Sequence, residues 1–329
     1  MSRFRRIALA VAVAVLVVLV VGYAIYRPEA RRAYQRIATG SRIAETRCGP
    51  IEYAVAGEGP PVLVVHGAGG GFDQGLALGQ SLARDGFQII AVSRFGYLRT
   101  PLPADPSAAA QADAHACLLD ALNIRRAAIV GVSAGAPSTL QFALRHPDRT
   151  AAVVLLVPGV YAPPPAEVGQ GRLSRTTAFL LETSLRSDFV FWAGRELAHR
   201  AFIRSVLGTP PEVVDRAPAA EQARLDRALD QILPVRPRRL GLINDAAVVS
   251  SQPRYELERI TAPTLAISTA DDLYGTFPAA RYTAAHVPGA RFIGYPSGGH
   301  MLVGHDAETA AAISAFLRTY LPASDIKNP

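Results

Sequence analysis

The chain has 329 residues, half of them apolar, and a formal charge of +7 with a pI near 9.7. Seven arginines and one acid, Glu29, lie in residues 1–36, which leaves 27 basic and 26 acidic residues in the rest. A body this close to neutral has no phosphate-binding stripe, so no nucleic-acid partner is expected. The only lysine, Lys327, excludes Schiff-base and phosphate-loop lysine chemistry.

Residues 7–26 carry no charge. As a helix they would reach about 30 Å, the thickness of a bilayer core. A membrane anchor is expected. Its rival is a secretory signal cleaved near Gly22-Tyr23-Ala24. Arginines flank both ends, three before and four after, so the charge rule for orientation is nearly balanced. We expect a cytoplasmic N-terminus and an extracytoplasmic body. Residues 27–42 read as a stalk, helical until Thr39-Gly40-Ser41. Domain 1–42 is thus anchor and stalk, and the body from Arg42 onward is expected to fold without it.

Residues 42–49 and 51–57 form an expected antiparallel hairpin. Short apolar runs then alternate with helical patterns. Strands are predicted at 60–67, 88–93, 127–132, 151–158, 262–269 and 290–296. Helices are predicted at 71–84, 108–122, 138–145, 277–286 and 307–321. This rhythm implies an α/β fold with a mostly parallel, doubly wound sheet of about eight strands. The core is assigned to 43–158 and 259–322. Residues 159–258 show no strand pattern and are expected to form a helical cap, entered through Ala162 to Glu167, with a tail at 323–329. Cys48 and Cys117 lie far apart without metal-ligand spacing. A disulfide between them would need an oxidising compartment and suitable geometry, and is not the favoured expectation. No metal or cofactor is expected.

Gly131-Val132-Ser133-Ala134-Gly135 is a G-x-S-x-G element placed between a predicted strand and a predicted helix. Small neighbours permit a sharp turn that exposes one hydroxyl, so Ser133 is the candidate nucleophile. A serine needs a base. Of seven histidines, His300 sits on the glycine-rich loop after the last strand. His305 lies nearer the final helix, where capping or packing suits it better. The orienting acid is sought one strand earlier, where Asp271 and Asp272 follow the strand.

The elements "VVHGAGGG", "SRFGY", "GVSAG", "STADD" and "GGHML" resemble the α/β-hydrolase superfamily over roughly residues 43–322. The resemblance implies a Ser-Asp-His triad. In that family the acid lies three residues beyond a glycine, whose place Ser268 takes, which points to Asp271 and leaves Asp272 as the alternative. The resemblance also implies an oxyanion site from the N–H groups of Ala68 and Ala134. His66, Gly67, Gly131 and Gly135 complete the motifs, and Arg94 in "SRFGY" is read as structural. A serine nucleophile excludes the branches that use aspartate, such as haloalkane dehalogenases and most epoxide hydrolases. The expected activity is hydrolysis of an ester or related acyl bond, in a small or medium apolar substrate over a charged one. Thioesterase, lactonase, C–C hydrolase, perhydrolase and acyltransferase activities use the same triad. A membrane-tethered binding protein without catalysis is the competing class.

Overall fold

The computed structural model describes residues 3–163 and 185–321. Most of the cap entrance and the tail at 323–329 lie outside them. The sheet has eight strands: β1 Arg42–Thr46, β2 Gly49–Ala56, β3 Pro61–Val65, β4 Gln88–Val92, β5 Ala127–Val132, β6 Thr150–Leu156, β7 Thr264–Thr269 and β8 Arg291–Tyr295. Their spatial order is β1-β2-β4-β3-β5-β6-β7-β8. Only the β1–β2 and β2–β4 pairs are antiparallel. Every residue of β6 is buried, as expected of a central strand covered on both faces.

Two apolar layers flank the sheet. One is closed by α3 (Ala108–Ala121), α4 (Ala136–Arg145) and α10 (Thr276–His286), through side chains such as Leu118, Phe142 and Ala280. The other is closed by α2 (Phe72–Arg84) and α11 (Asp306–Tyr320), through Leu82, Ile313 and Phe316. The register matters for function. Val65 at the end of β3 pairs with Gly131 near the end of β5. Val132 pairs with Leu156, and Thr269 with Tyr295. The loops after these strands therefore leave the same edge of the sheet, where ligands of open parallel sheets bind.

Between β6 and β7 the described residues form five helices: α5 (Asp188–Leu197), α6 (His199–Val206), α7 (Pro211–Asp215), α8 (Ala219–Ile232) and α9 (Arg239–Ser250). They share an apolar cluster that includes Phe191, Trp192, Leu225 and Leu229.

The N-terminal helix α1 runs from Arg3 to Ala38. Its apolar half is exposed, with a mean hydropathy of 2.9, enough in length and composition to cross a membrane or serve as a signal sequence. Its second half corrects the expectation that residues 27–42 are only a stalk beside a body with a complete core. Tyr26 and Ala33 are buried in the same cluster as Trp192 and Leu229. Tyr26, Phe189 and Trp192 pack ring against ring, and Trp192 Nε1 donates to Glu29 Oε2 at 3.1 Å. Tyr34 donates to Asp188 at 2.8 Å. The body starting at Arg42 therefore lacks part of the cap's own core.

A second correction concerns the cysteines. Cys48, in the β1–β2 turn, is bonded to Cys117 on α3, with their Cα atoms 6.1 Å apart. The two are separated by 69 residues in sequence, and the pairing of β1 with β2 beside α3 is what brings them together.

Candidate active site

Ser133 follows β5 and has φ of +50°, a left-handed backbone that a non-glycine residue adopts only when its surroundings impose it. The glycines on either side show what imposes it. A Cβ on Gly131 would lie 2.3 Å from Thr139 Oγ1, and one on Gly135 would lie 2.6 Å from the carbonyl oxygens of Val65 and His66. Only hydrogen fits at both places, so the chain turns sharply and α4 begins at once. Thr139 Oγ1 donates to the Gly135 carbonyl at 3.0 Å and locks the turn. Ser133 sits at the start of that helical run, where backbone N–H groups point at incoming negative charge.

His300 Nε2 lies 2.9 Å from Ser133 Oγ, and its Nδ1 lies 2.8 Å from Asp272 Oδ2. The His300 side chain is 9% exposed and that of Asp272 is fully buried. The cap braces the histidine loop. The N–H of His300 donates to the Gly208 carbonyl at 3.2 Å, and Met301 N–H donates to Thr209 Oγ1 at 3.2 Å. Tyr274 packs edge-on against the imidazole, 4.8 Å between centroids, and its hydroxyl donates to the Ser205 carbonyl at 2.8 Å.

Asp271, the carboxylate singled out by the family spacing, does not reach His300. Its oxygens accept from the N–H groups of Gly299 at 2.8 Å and Gly298 at 3.2 Å. Sheet pairing continues one residue past β7, with Ala270 N–H donating to the Tyr295 carbonyl at 2.8 Å. The turn thus starts one position late, and the carboxylate that faces the imidazole is Asp272. Tyr274 N–H donates to Asp272 Oδ1 at 2.8 Å, and the Thr276 hydroxyl donates to Oδ2. His305 stands apart, stacked on Tyr295 at 3.9 Å.

The loop 66–71 lies against the serine, where a Cβ on Gly67 would be 3.2 Å from Ser133 Cβ. It has almost no side chains of its own and is fixed from outside. Gly67 N–H donates to Gln74 at 3.0 Å. The Gly67 carbonyl accepts from Arg94 Nη2 at 3.2 Å and from His66 Nδ1 at 2.7 Å. Gly69 N–H donates to the Tyr97 hydroxyl at 3.2 Å, and the Gly70 carbonyl accepts from Arg238. Ala68 is the one exposed residue in this buried run. Ala134, the other candidate oxyanion donor, is buried directly after the serine.

Two ion pairs join this loop to the cap. Arg94 makes a bidentate pair with Asp245 of α9, 2.6 Å on each arm, and Arg238 pairs with Asp73 at 2.7 Å. Burial, assisted by the Arg94 charge, holds the His66 imidazole well below its ordinary pKa. It is therefore neutral, and its Nε2 accepts from Arg94 N–H at 3.0 Å. Burial and the Asp245 charge push the Tyr97 hydroxyl up, so it stays protonated and donates to Asp245. Sequence reasoning missed Asp73, Arg238 and Asp245, because only the fold brings such distant positions together. Thr276 had a local signal, four residues after Asp272 at the start of α10.

The sequence profile of the alpha/beta hydrolase fold family matches residues 60–305. The chain belongs to this family. It is a hydrolase. It is 36% identical over 107 residues to an uncharacterized hydrolase of Bacillus subtilis, spanning 32% of this chain and 37% of that protein. The chain thus matches little more than a third of that relative's length. A Klebsiella pneumoniae protein named as a carbamate hydrolase is 27% identical over 264 residues, 76% of this chain and 88% of its own. An alpha/beta hydrolase fold protein from Nakamurella multipartita superposes with a TM-score of 0.65 at 26% identity, covering 84% of this chain and 99% of its own.

Proposed function

We propose that this protein is a hydrolase that cleaves esters or related acyl bonds through Ser133, His300 and Asp272. The hydrogen-bonded line from Asp272 through His300 to Ser133 Oγ is the observation that carries the reading. In the first step Ser133 Oγ bonds to the acyl carbon while His300 Nε2 takes its proton. The carbonyl oxygen becomes an oxyanion, facing the N–H groups of Ala68 and Ala134. His300 then gives the proton to the leaving alcohol as the C–O bond breaks, which leaves an acyl-serine. Water, deprotonated by His300, attacks that ester. Ser133 leaves with the proton, and a carboxylic acid is released. Asp272 accepts the Nδ1–H bond throughout and stabilises the imidazolium.

The substrate class we favour remains a small or medium apolar ester. Of the cap aromatics, Phe189 and Trp192 pack on Tyr26 of α1 and Phe191 packs on Phe202. The likeness to a protein named for carbamate hydrolysis makes carbamates a second substrate class to assay, because a carbamate carbonyl accepts the same attack. A fluorophosphonate probe is the first experiment. Labelling that disappears in Ser133→Ala, together with loss of ester turnover by several orders of magnitude, supports the reading. A folded Ser133→Ala variant with unchanged turnover sinks it.

We further propose that α1 anchors the chain in a membrane with the body outside the cytoplasm. The Cys48–Cys117 disulfide supports an oxidising compartment. Full-length protein should sediment with membranes and resist high-salt extraction. An N-terminus beginning near Ile25 in the mature protein would instead establish a cleaved signal.

A further inference from the structure

The oxyanion loop is held by two arginines, and one of them leads back to the N-terminal helix. Arg36 of α1 donates from Nε to Asp73 Oδ2 at 3.3 Å. The same oxygen accepts from Arg238 Nη2 at 2.7 Å. Arg238 in turn donates to Asp73 Oδ1 at 3.1 Å and to the Gly70 carbonyl. Asp73 therefore stands between a stalk arginine and the arginine that fixes the loop. Both guanidinium charges hold its carboxyl below the ordinary range against the opposing effect of burial.

A second path leaves the same side chain. Arg36 Nη2 donates to the carbonyls of Asp230 and Gln231 at 3.3 Å, and to that of Leu233. These carbonyls close the C-terminal turn of α8, where helix oxygens lack intrahelical partners and a cation is favoured. The last residue of α8, Ile232, lies against the oxyanion loop. A Cβ on Gly69 would be 3.5 Å from its Cγ2. Glycines at 67 and 69–71 give the loop no side chains with which to fix itself, so its geometry depends on these outside contacts.

We propose that Arg36 is a positioning residue for the oxyanion loop, acting through Asp73–Arg238 on the Gly70 carbonyl and through the α8 terminus on Ile232. The juxtamembrane helix is then part of the catalytic architecture and not only a tether. The inference rests on the proposed acyl-transfer role of Ser133.

The test uses the full chain in detergent micelles with Arg36→Ala and Arg36→Lys. Three quantities are read on protein that remains folded by thermal melting: kcat and KM for a p-nitrophenyl ester, and affinity for a phenylboronic acid. The tetrahedral boronate formed with Ser133 places an oxygen where the oxyanion develops. Arg36→Ala should lower kcat ten- to hundredfold with KM within about twofold, and weaken boronate binding by a similar factor. Arg36→Lys keeps the charge at the α8 terminus but not the fork, and should recover part of both losses. It also decides the matter if the alanine variant does not fold. Folded variants with wild-type kcat and wild-type boronate affinity overturn the proposal, as does a loss confined to melting temperature. If the wild type itself binds neither the boronate nor a fluorophosphonate, the failure belongs to the reading of Ser133.

Discussion

The two adjacent aspartates should respond to amidation in opposite ways. In Asp272→Asn the surroundings dictate how the amide sits. Tyr274 N–H needs an acceptor at the Oδ1 position, so the amide oxygen is expected there. The NH2 group then faces His300 Nδ1 and Thr276 Oγ1, where Oδ2 now accepts. An NH2 donor opposite Nδ1 forces the ring proton onto Nε2, which lies 2.9 Å from Ser133 Oγ. The base is then in the wrong tautomer and cannot take the serine proton. Such a loss costs roughly 10⁴ in kcat, about 5.5 kcal/mol of transition-state stabilisation. Asp271→Asn keeps one acceptor and loses one charge-assisted bond from the Gly298–Gly299 backbone, worth about 1.5–3 kcal/mol of local stability. Its kcat should stay within about tenfold of wild type. Steady-state turnover of a p-nitrophenyl ester, with folding checked by circular dichroism, separates the two. The assignment fails if Asp271→Asn shows the large loss and Asp272→Asn does not.

Three further outcomes follow from the packing. Replacing Cys48 and Cys117 by serine opens a 69-residue loop in the unfolded chain and should cost about 4 kcal/mol by the loop-entropy relation, read from urea unfolding. His66 and His115 are both buried and neutral, His115 with its pKa pushed down to about 3 by burial. A depressed folded pKa gives stability that is complete above the unfolded value near 6.5 and lost as pH falls below it. Both should therefore destabilise the fold as pH falls below about 6.5, His115 alone by about 1.6 kcal/mol between pH 6.5 and pH 5, and flat urea midpoints across that range would contradict this. A chain beginning at Arg42 loses the buried Tyr26, worth about 2 kcal/mol in apolar contact, and Ala33 with it. It should melt lower than full-length protein and bind more of a hydrophobic dye, and an equal melting temperature would restore the expectation that the body does not depend on residues 1–41.

The strands and the serine turn were legible because their causes are local. A run such as "AAVVLLVP" can be satisfied only by burial on both faces, and β6 is buried throughout. Gly131 and Gly135 announce the turn by their spacing around Ser133, and the atoms that exclude a Cβ there are Thr139, six residues after the serine, and the Val65 and His66 carbonyls at the neighbouring strand end. The choice between Asp271 and Asp272 was not legible. It depends on whether β7 pairing stops at Thr269 or runs on to Ala270, and the partner that decides this, Tyr295, is a strand away. The cysteine pairing was hidden for the same reason, since it depends on β1–β2 lying beside α3.

The bracing of the oxyanion loop shows why such long-range parts resist prediction even when every motif is read correctly. The glycines that let the loop approach Ser133 also remove its means of self-support, and the missing contacts must come from other segments. Here they come from Arg94 and Tyr97 after β4, Arg238 before α9 and Ile232 at the end of α8. Two of these guanidinium groups are buried, so each needs a buried carboxylate. Asp245 and Asp73 supply them from the opposite side of the cap–core boundary. Each pair thus fixes the loop and the cap together, and neither can be removed without leaving an uncompensated charge. Asp73 accepts a second cation, Arg36, from the N-terminal helix. Cap, core and N-terminal helix meet at one carboxylate, and that carboxylate lies one side chain away from the loop that faces the nucleophile.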